Sequence, residues 1–177
     1  MYPKVVRTRG LLYYPVRRSA SSAIQNVLGI DFLDWRVSLA MPNTYQRFTY
    51  YRNTFDRFRS LYHNFVNPAP LGEVSFGLDI DKSTSFDTFI YLVAESQDAT
   101  CDEHLQSQDW ERVIPDIRVY LSMWDLELGT SLKIPPFGSF SGDLFYLRYR
   151  GTARRQFELR YAEEIAKYKF VDYGDKK

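Results

Sequence analysis

A single cysteine, Cys101, among 177 residues rules out an internal disulfide and a cysteine-rich zinc site, and points to a reducing compartment. Charge of one sign is also missing. The 23 Lys and Arg against 22 Asp and Glu leave a net charge of +1, so nothing global marks a nucleic-acid or membrane-surface protein. Any basic site must be local. The opening residues lead into only a short apolar run, which predicts neither a signal-peptide core nor a membrane span of roughly 20 apolar residues. A cytoplasmic protein without membrane or nucleic-acid partners is the expectation. There is no G-x-x-x-x-G-K-[ST] loop, which removes the sequence support for ordinary ATP or GTP hydrolysis. Histidine is limited to His63 and His104, and no metal site is expected.

What the chain has in abundance is aromatic side chains, 17% of the residues, which supply contact area to cores and to bases and sugars alike. With 45% hydrophobic residues, the length suits one domain spanning residues 1–177. Gly and Pro are scattered except at 67–72 and 134–138, which read as loops.

The run 10–16 is apolar and aromatic and reads as a buried strand, followed by a helix over 19–28. Further strands are expected over 32–39, 46–51 and 117–124. Phe55, Phe58, Tyr62 and Phe65 fall on one helical face, with Arg57, Ser60 and Asn64 on the other and Thr54 as the expected cap. Ser85 precedes a second amphipathic helix carrying Phe86, Phe89, Ile90 and Val93, and Phe157, Tyr161, Ile165 and Tyr168 mark a final helix running to about Lys169. This alternation predicts an α/β fold with a parallel sheet covered by helices, with ligands bound beyond the carboxyl ends of the strands.

Two strand-to-helix junctions have anion-binding chemistry. The first, Tyr14-Pro15-Val16-Arg17-Arg18-Ser19-Ala20-Ser21-Ser22, places two cations and three hydroxyls before a helix N-terminus, where free N–H groups and the helix dipole favour an oxyanion. A Ser-rich cap with solvated arginines would use the same residues. The second, Tyr51-Arg52-Asn53-Thr54-Phe55-Asp56-Arg57-Phe58-Arg59-Ser60-Leu61-Tyr62, sets an Arg at a strand end and a Ser two turns into the next helix. These can converge on a second phosphate.

Together the junctions resemble the sulfotransferase superfamily, whose members carry P-K-x-x-S-T-S for the 5′-phosphosulfate and V-R-[DN]-P-[FY]-x-R-x-x-S-x-[YF] for the 3′-phosphate. Ser85-Phe86-Asp87-Thr88-Phe89 and Asp102-Glu103-His104-Leu105-Gln106-Ser107-Gln108 are similar to the S-F-x-x-F and D-x-H-W-x-x-Q region of its carbohydrate branch. Arg160-Tyr161-Ala162-Glu163-Glu164-Ile165-Ala166-Lys167-Tyr168 looks like that branch's terminal helix.

The resemblance implies a P-loop-like three-layer α/β sandwich with a central parallel sheet, and transfer of a sulfuryl group from 3′-phosphoadenosine 5′-phosphosulfate (PAPS) to a carbohydrate-type hydroxyl. By that resemblance Arg52 and Ser60 hold the 3′-phosphate, and Arg17 stands where the family has Lys. Arg18 takes that place if the loop register differs by one. Ser21 and Ser22 match the hydroxyl pair, with Ser19 in the same loop. Arg148-Tyr149-Arg150-Gly151-Thr152 is similar to the Arg-Lys-Gly loop that closes over the nucleotide, which assigns Arg150 to it. The base is His104, in the family-like Asp-Glu-His stretch, or Asp34, near the end of the expected second strand. His63 is expected to be solvent-exposed within its helix.

Overall fold

The computed structural model describes residues 4–8, 10–17, 19, 21–28, 31–66, 76–97, 100–114, 116–121, 144 and 146–173. The chain forms two compact units, each assembled from two stretches: 1–52 with 108–139, and 53–107 with 140–177.

The first unit is mixed α/β. Its strands are β1 (Val5–Thr8), β2 (Leu11–Tyr13), β3 (Phe32–Leu33), β4 (Gln46–Tyr50) and β5 (Arg118–Tyr120), in the order β3-β1-β2-β4-β5. Helices α1 (Ser21–Leu28) and α2 (Trp35–Leu39) join them, and α1 packs on β1. β2 runs parallel to β4 and β4 parallel to β5, whereas β1 is antiparallel to both β2 and β3. The sheet is therefore mixed, not parallel throughout. The difference arises at β1, where Val5 and Val6 are fully buried and the chain reverses at Gly10, whose φ of 74° suits a residue lacking Cβ. The core gathers Val6, Leu11, Tyr13, Ile24, Phe48 and Tyr120.

The strand expected over 32–39 is also corrected. It ends after Leu33, because the Asp34 side chain accepts a hydrogen bond from Arg36 N at 2.8 Å and caps α2. The strand at 46–51 is present as β4. That at 117–124 is present as β5, with 122–124 outside the described residues.

The second unit is helical: α3 (Thr54–Leu61) continues into a π-helical turn (Tyr62–Val66), followed by α4 (Phe86–Glu95), α5 (Gly151–Arg160) and α6 (Ala162–Tyr168). Ser85 caps α4 as its position predicts, accepting from Thr88 N at 3.1 Å. Asn53, not Thr54, caps α3, accepting from Phe55 N at 3.0 Å, while the Thr54 hydroxyl donates to Glu164. The single final helix is two, broken at Tyr161, whose backbone leaves helical geometry and whose hydroxyl donates to Leu105 O at 2.5 Å.

The polar face expected on α3 is buried instead. Arg57, 0% exposed, donates to Gln106 O at 2.9 Å, lies 3.8 Å from Glu164 and stacks over the Phe58 and Tyr161 rings. Arg59, 1% exposed, donates to Leu147 O at 2.9 Å and pairs with Asp56 and Asp172. Carboxylates, carbonyls and ring faces let a guanidinium leave water where an unpaired one could not. Phe55, Phe58, Phe157 and Tyr161 then pack edge to face or tilted, with centroids 4.8–5.8 Å apart.

Burial pushes the Tyr13 and Tyr149 hydroxyls well above the ordinary tyrosine value, and burial followed by the bond to Glu111 does the same for Tyr51. The folded state thus favours the neutral phenols, a contribution complete below about pH 10 and lost as the pH rises above it, where the unfolded tyrosines ionise first. Urea midpoints measured from pH 8 to 11.5 should be flat up to about pH 10 and then fall steeply, by up to about 1.4 kcal/mol per pH unit for each phenol.

Candidate anion-binding site

The site grows from the adjacent parallel strands β2 and β4, whose carboxyl ends lead into the two basic junctions. Their pairing runs past the strands: Tyr14 N donates to Phe48 O at 2.9 Å, and the Thr49 hydroxyl to Tyr14 O at 2.7 Å. After β2 the chain turns, with Ser19 N donating to Val16 O at 3.2 Å, and Arg17 is exposed on that turn. Ser21 and Ser22 open α1, whose first turn contains no acidic residue, so nothing there opposes the dipole's preference for an anion. Ser22 is exposed, Ser21 buried, and Arg18 lies outside the described residues.

Residues 108–111 stitch the two junctions together. Gln108, 4% exposed, accepts at Oε1 from the Ser19 hydroxyl (3.0 Å) and from Arg52 N (2.9 Å), and donates from Nε2 to Arg52 O (2.9 Å). One amide therefore fixes a side chain of the first junction and the backbone of the second. Trp110 donates from its indole to Pro15 O at 3.1 Å and meets the Tyr14 ring edge-on at 5.2 Å. The Tyr51 hydroxyl accepts from Trp110 N at 2.5 Å and donates to Glu111. Tyr14 in turn shares a 2.7 Å hydrogen bond with Ser38. The result is a hydrogen-bonded network that joins the Ser19 side chain and the Pro15 carbonyl of the first junction to the Arg52 backbone and the Tyr51 hydroxyl of the second.

Asp34, exposed, is engaged as the α2 cap and lies 3.9 Å from Arg36. The remaining expected residues belong to the helical unit. Ser60 is 1% exposed, with Asn64 Nδ2 at 3.4 Å from its hydroxyl. Arg150, exposed, occupies the N-cap position of α5, and its carbonyl accepts from Arg154 N at 3.0 Å. His104 Nδ1 sits 2.5 Å from Asp102 Oδ1, and its ring lies among Phe65 and Phe76 at 6.0 and 5.5 Å. This is an imidazole with a carboxylate orienting one nitrogen, the arrangement that fixes a tautomer. His63 is half-buried on the π-helical turn, not exposed as expected.

Sequence reasoning gave no role to Gln108, Trp110, Tyr51 or Glu111. Gln108 was visible only as the last residue of the Asp-Glu-His stretch. A glutamine's value as a buried bridge depends on which polar groups face it, and those come from residues 56 and 89 positions away.

Among the described residues, no group of three or more His, Cys, Asp or Glu is placed to hold a metal ion, and no helix is long and apolar enough to cross a membrane. Compared with known proteins, the chain matches no family model, no curated protein and no solved structure.

Proposed function

We propose that the chain binds PAPS across the β2–α1 and β4–α3 junctions and transfers its sulfuryl group to a carbohydrate-type hydroxyl. One observation carries this reading: Gln108 bonds Ser19 and Arg52 at once, so the two oxyanion-competent junctions form a single preorganised unit beyond the carboxyl ends of parallel strands. The finer architecture of a P-loop-like sandwich and a cytoplasmic setting belong to the same proposal.

In this reading the acceptor oxygen attacks sulfur as the bond from sulfur to the 5′-phosphate oxygen breaks, leaving 3′-phosphoadenosine 5′-phosphate. Arg17 and the amide groups opening α1 offset the charge growing on the departing phosphate, and Arg52 holds the 3′-phosphate. The resemblance assigns Ser60 to that phosphate as well. The resemblance assigns the acceptor's proton to His104, which Asp102 orients, or to Asp34.

Titration with 3′-phosphoadenosine 5′-phosphate tests the binding half. The ligand at about 100 times its Kd should raise stability by about 2.7 kcal/mol. Arg52→Ala should weaken binding at least about ten-fold, the loss of one charge-assisted contact. A folded protein that gains no thermal stability from millimolar ligand sinks the reading. A second reading, a non-catalytic binding or structural protein that retains a sulfotransferase fold, is favoured by Arg17 in the family's Lys position and by the commitment of Asp34 to a helix cap. Transfer of labelled sulfate from PAPS to a mixed glycan pool decides between them.

A further inference from the structure

At the amino ends of β4 and β5, a cavity of about 330 Å³ is lined by Asn43, Tyr45, Gln46, Arg47, Asp116 and Arg118. It lies at the opposite end of β4 from Arg52, separated from it by the five strand residues at about 3.3 Å each. It is therefore no part of the junction site. Its polar side chains are held in place. The Tyr120 hydroxyl accepts from Arg118 Nη1 at 3.3 Å and from Gln46 Nε2 at 3.5 Å, and Arg47, 9% exposed, donates from Nη2 to Met41 O at 3.0 Å. Each guanidinium carries five N–H donors, and these contacts use one of each. Among the described residues neither Arg47 nor Arg118 forms an ion pair, although Asp116 lines the same cavity.

We infer that this cavity binds a small sugar bearing an oxyanion, whether carboxylate, phosphate or sulfate. Arg118, exposed and without a carboxylate partner among the described residues, supplies the fork donors an oxyanion requires, and Arg47 lines the same cavity. Asn43, Gln46 and Asp116 supply the mixed donors and acceptors that recognise neighbouring hydroxyls, and Tyr45 offers an aromatic face. The volume lies at the lower end of the range for small-molecule sites, the size of a single sugar unit. The inference is independent of nucleotide binding.

Amide resonances of the whole chain, followed during titration with glucuronate, glucose 6-phosphate, glucose and inorganic sulfate, test it. The two sugar anions should shift Gln46, Arg47 and Arg118 and bind at least about ten-fold tighter than glucose or sulfate, with Arg17 and Arg52 unmoved. Arg118→Ala, at an exposed position, should lower that affinity at least about ten-fold without changing Tm, and Arg118→Lys should restore part of it. Equal affinity for glucose overturns the anion requirement, and equal affinity for sulfate reduces the site to a bare ion hole. Unchanged binding in Arg118→Ala removes the cavity from consideration altogether.

Discussion

Gln108→Ala is expected to lower the stability of the protein by about 2–4 kcal/mol and its affinity for 3′-phosphoadenosine 5′-phosphate by about 100-fold. The stability loss follows from what the truncation leaves behind: the Ser19 hydroxyl loses this partner in a buried place, and the Arg52 amide and carbonyl lose it in a half-buried one. Each unsatisfied group costs about 1–3 kcal/mol, and water entering the vacated space recovers part of it. The affinity loss follows from geometry, because the two junctions would then be ordered only as the ligand binds. Gln108→Glu separates the effects. Its carboxylate can still accept from Ser19 and Arg52 N, but it loses the donor to Arg52 O and adds a negative charge beside the proposed phosphate groups. Urea denaturation should show a smaller loss for Glu than for Ala, whereas calorimetric titration should show at least as large a loss of affinity. Equal nucleotide affinity in all three proteins would detach Gln108 from the site.

Arg59→Ala should destabilise the helical unit by about 3–5 kcal/mol, among the largest effects open to a single substitution in this chain. The side chains of Arg59 and Asp172 are both about 1% exposed, and the guanidinium also serves Leu147 O, Asp56 and the Tyr149 ring at 5.1 Å. Removing it takes from the buried Asp172 carboxylate the guanidinium paired with Oδ1, while Arg154 lies 4.0 Å from Oδ2. The double variant Arg59→Ala/Asp172→Ala removes that carboxylate as well and should recover a large part of the loss. Chemical denaturation of the four proteins gives the coupling directly. Strictly additive losses would mean that the pair does not act as one.

The elements read from local pattern are those whose signals are local. The helix behind Ser85 shows its cap and its apolar stripe in the sequence, and β4 shows as a short stretch with β-branched and aromatic residues, Phe48, Thr49 and Tyr50, before a basic turn. β1 was missed because Val5 and Val6 make too short a run to stand out, and only pairing with β2 and β3 gives them a sheet to join. In the strand expected over 32–39, Trp35, Val37 and Leu39 alternate with polar residues, a pattern that suits a strand. Asp34 overrides that pattern by capping the helix backbone.

Arg57 and Arg59 defeated the helical pattern for another reason. Charge normally marks the solvent face, and their partners Glu164 and Asp172 come from more than 100 residues away. At the site, Arg17, the serines of α1 and Arg52 were legible from residue type at a strand end. The Gln108–Glu111 stitching was not, since it consists of contacts between distant backbone groups and side chains.

Each unit borrows from both halves of the chain: β5 reaches the edge of the sheet only after the entire stretch 53–107 has been made. During vectorial synthesis the sheet must therefore wait, with the β4 edge unpaired, until residue 120 has left the ribosome. No single cut can release either unit intact, and expression fragments ending between residues 53 and 107 will carry an open β4 edge that invites pairing with other chains.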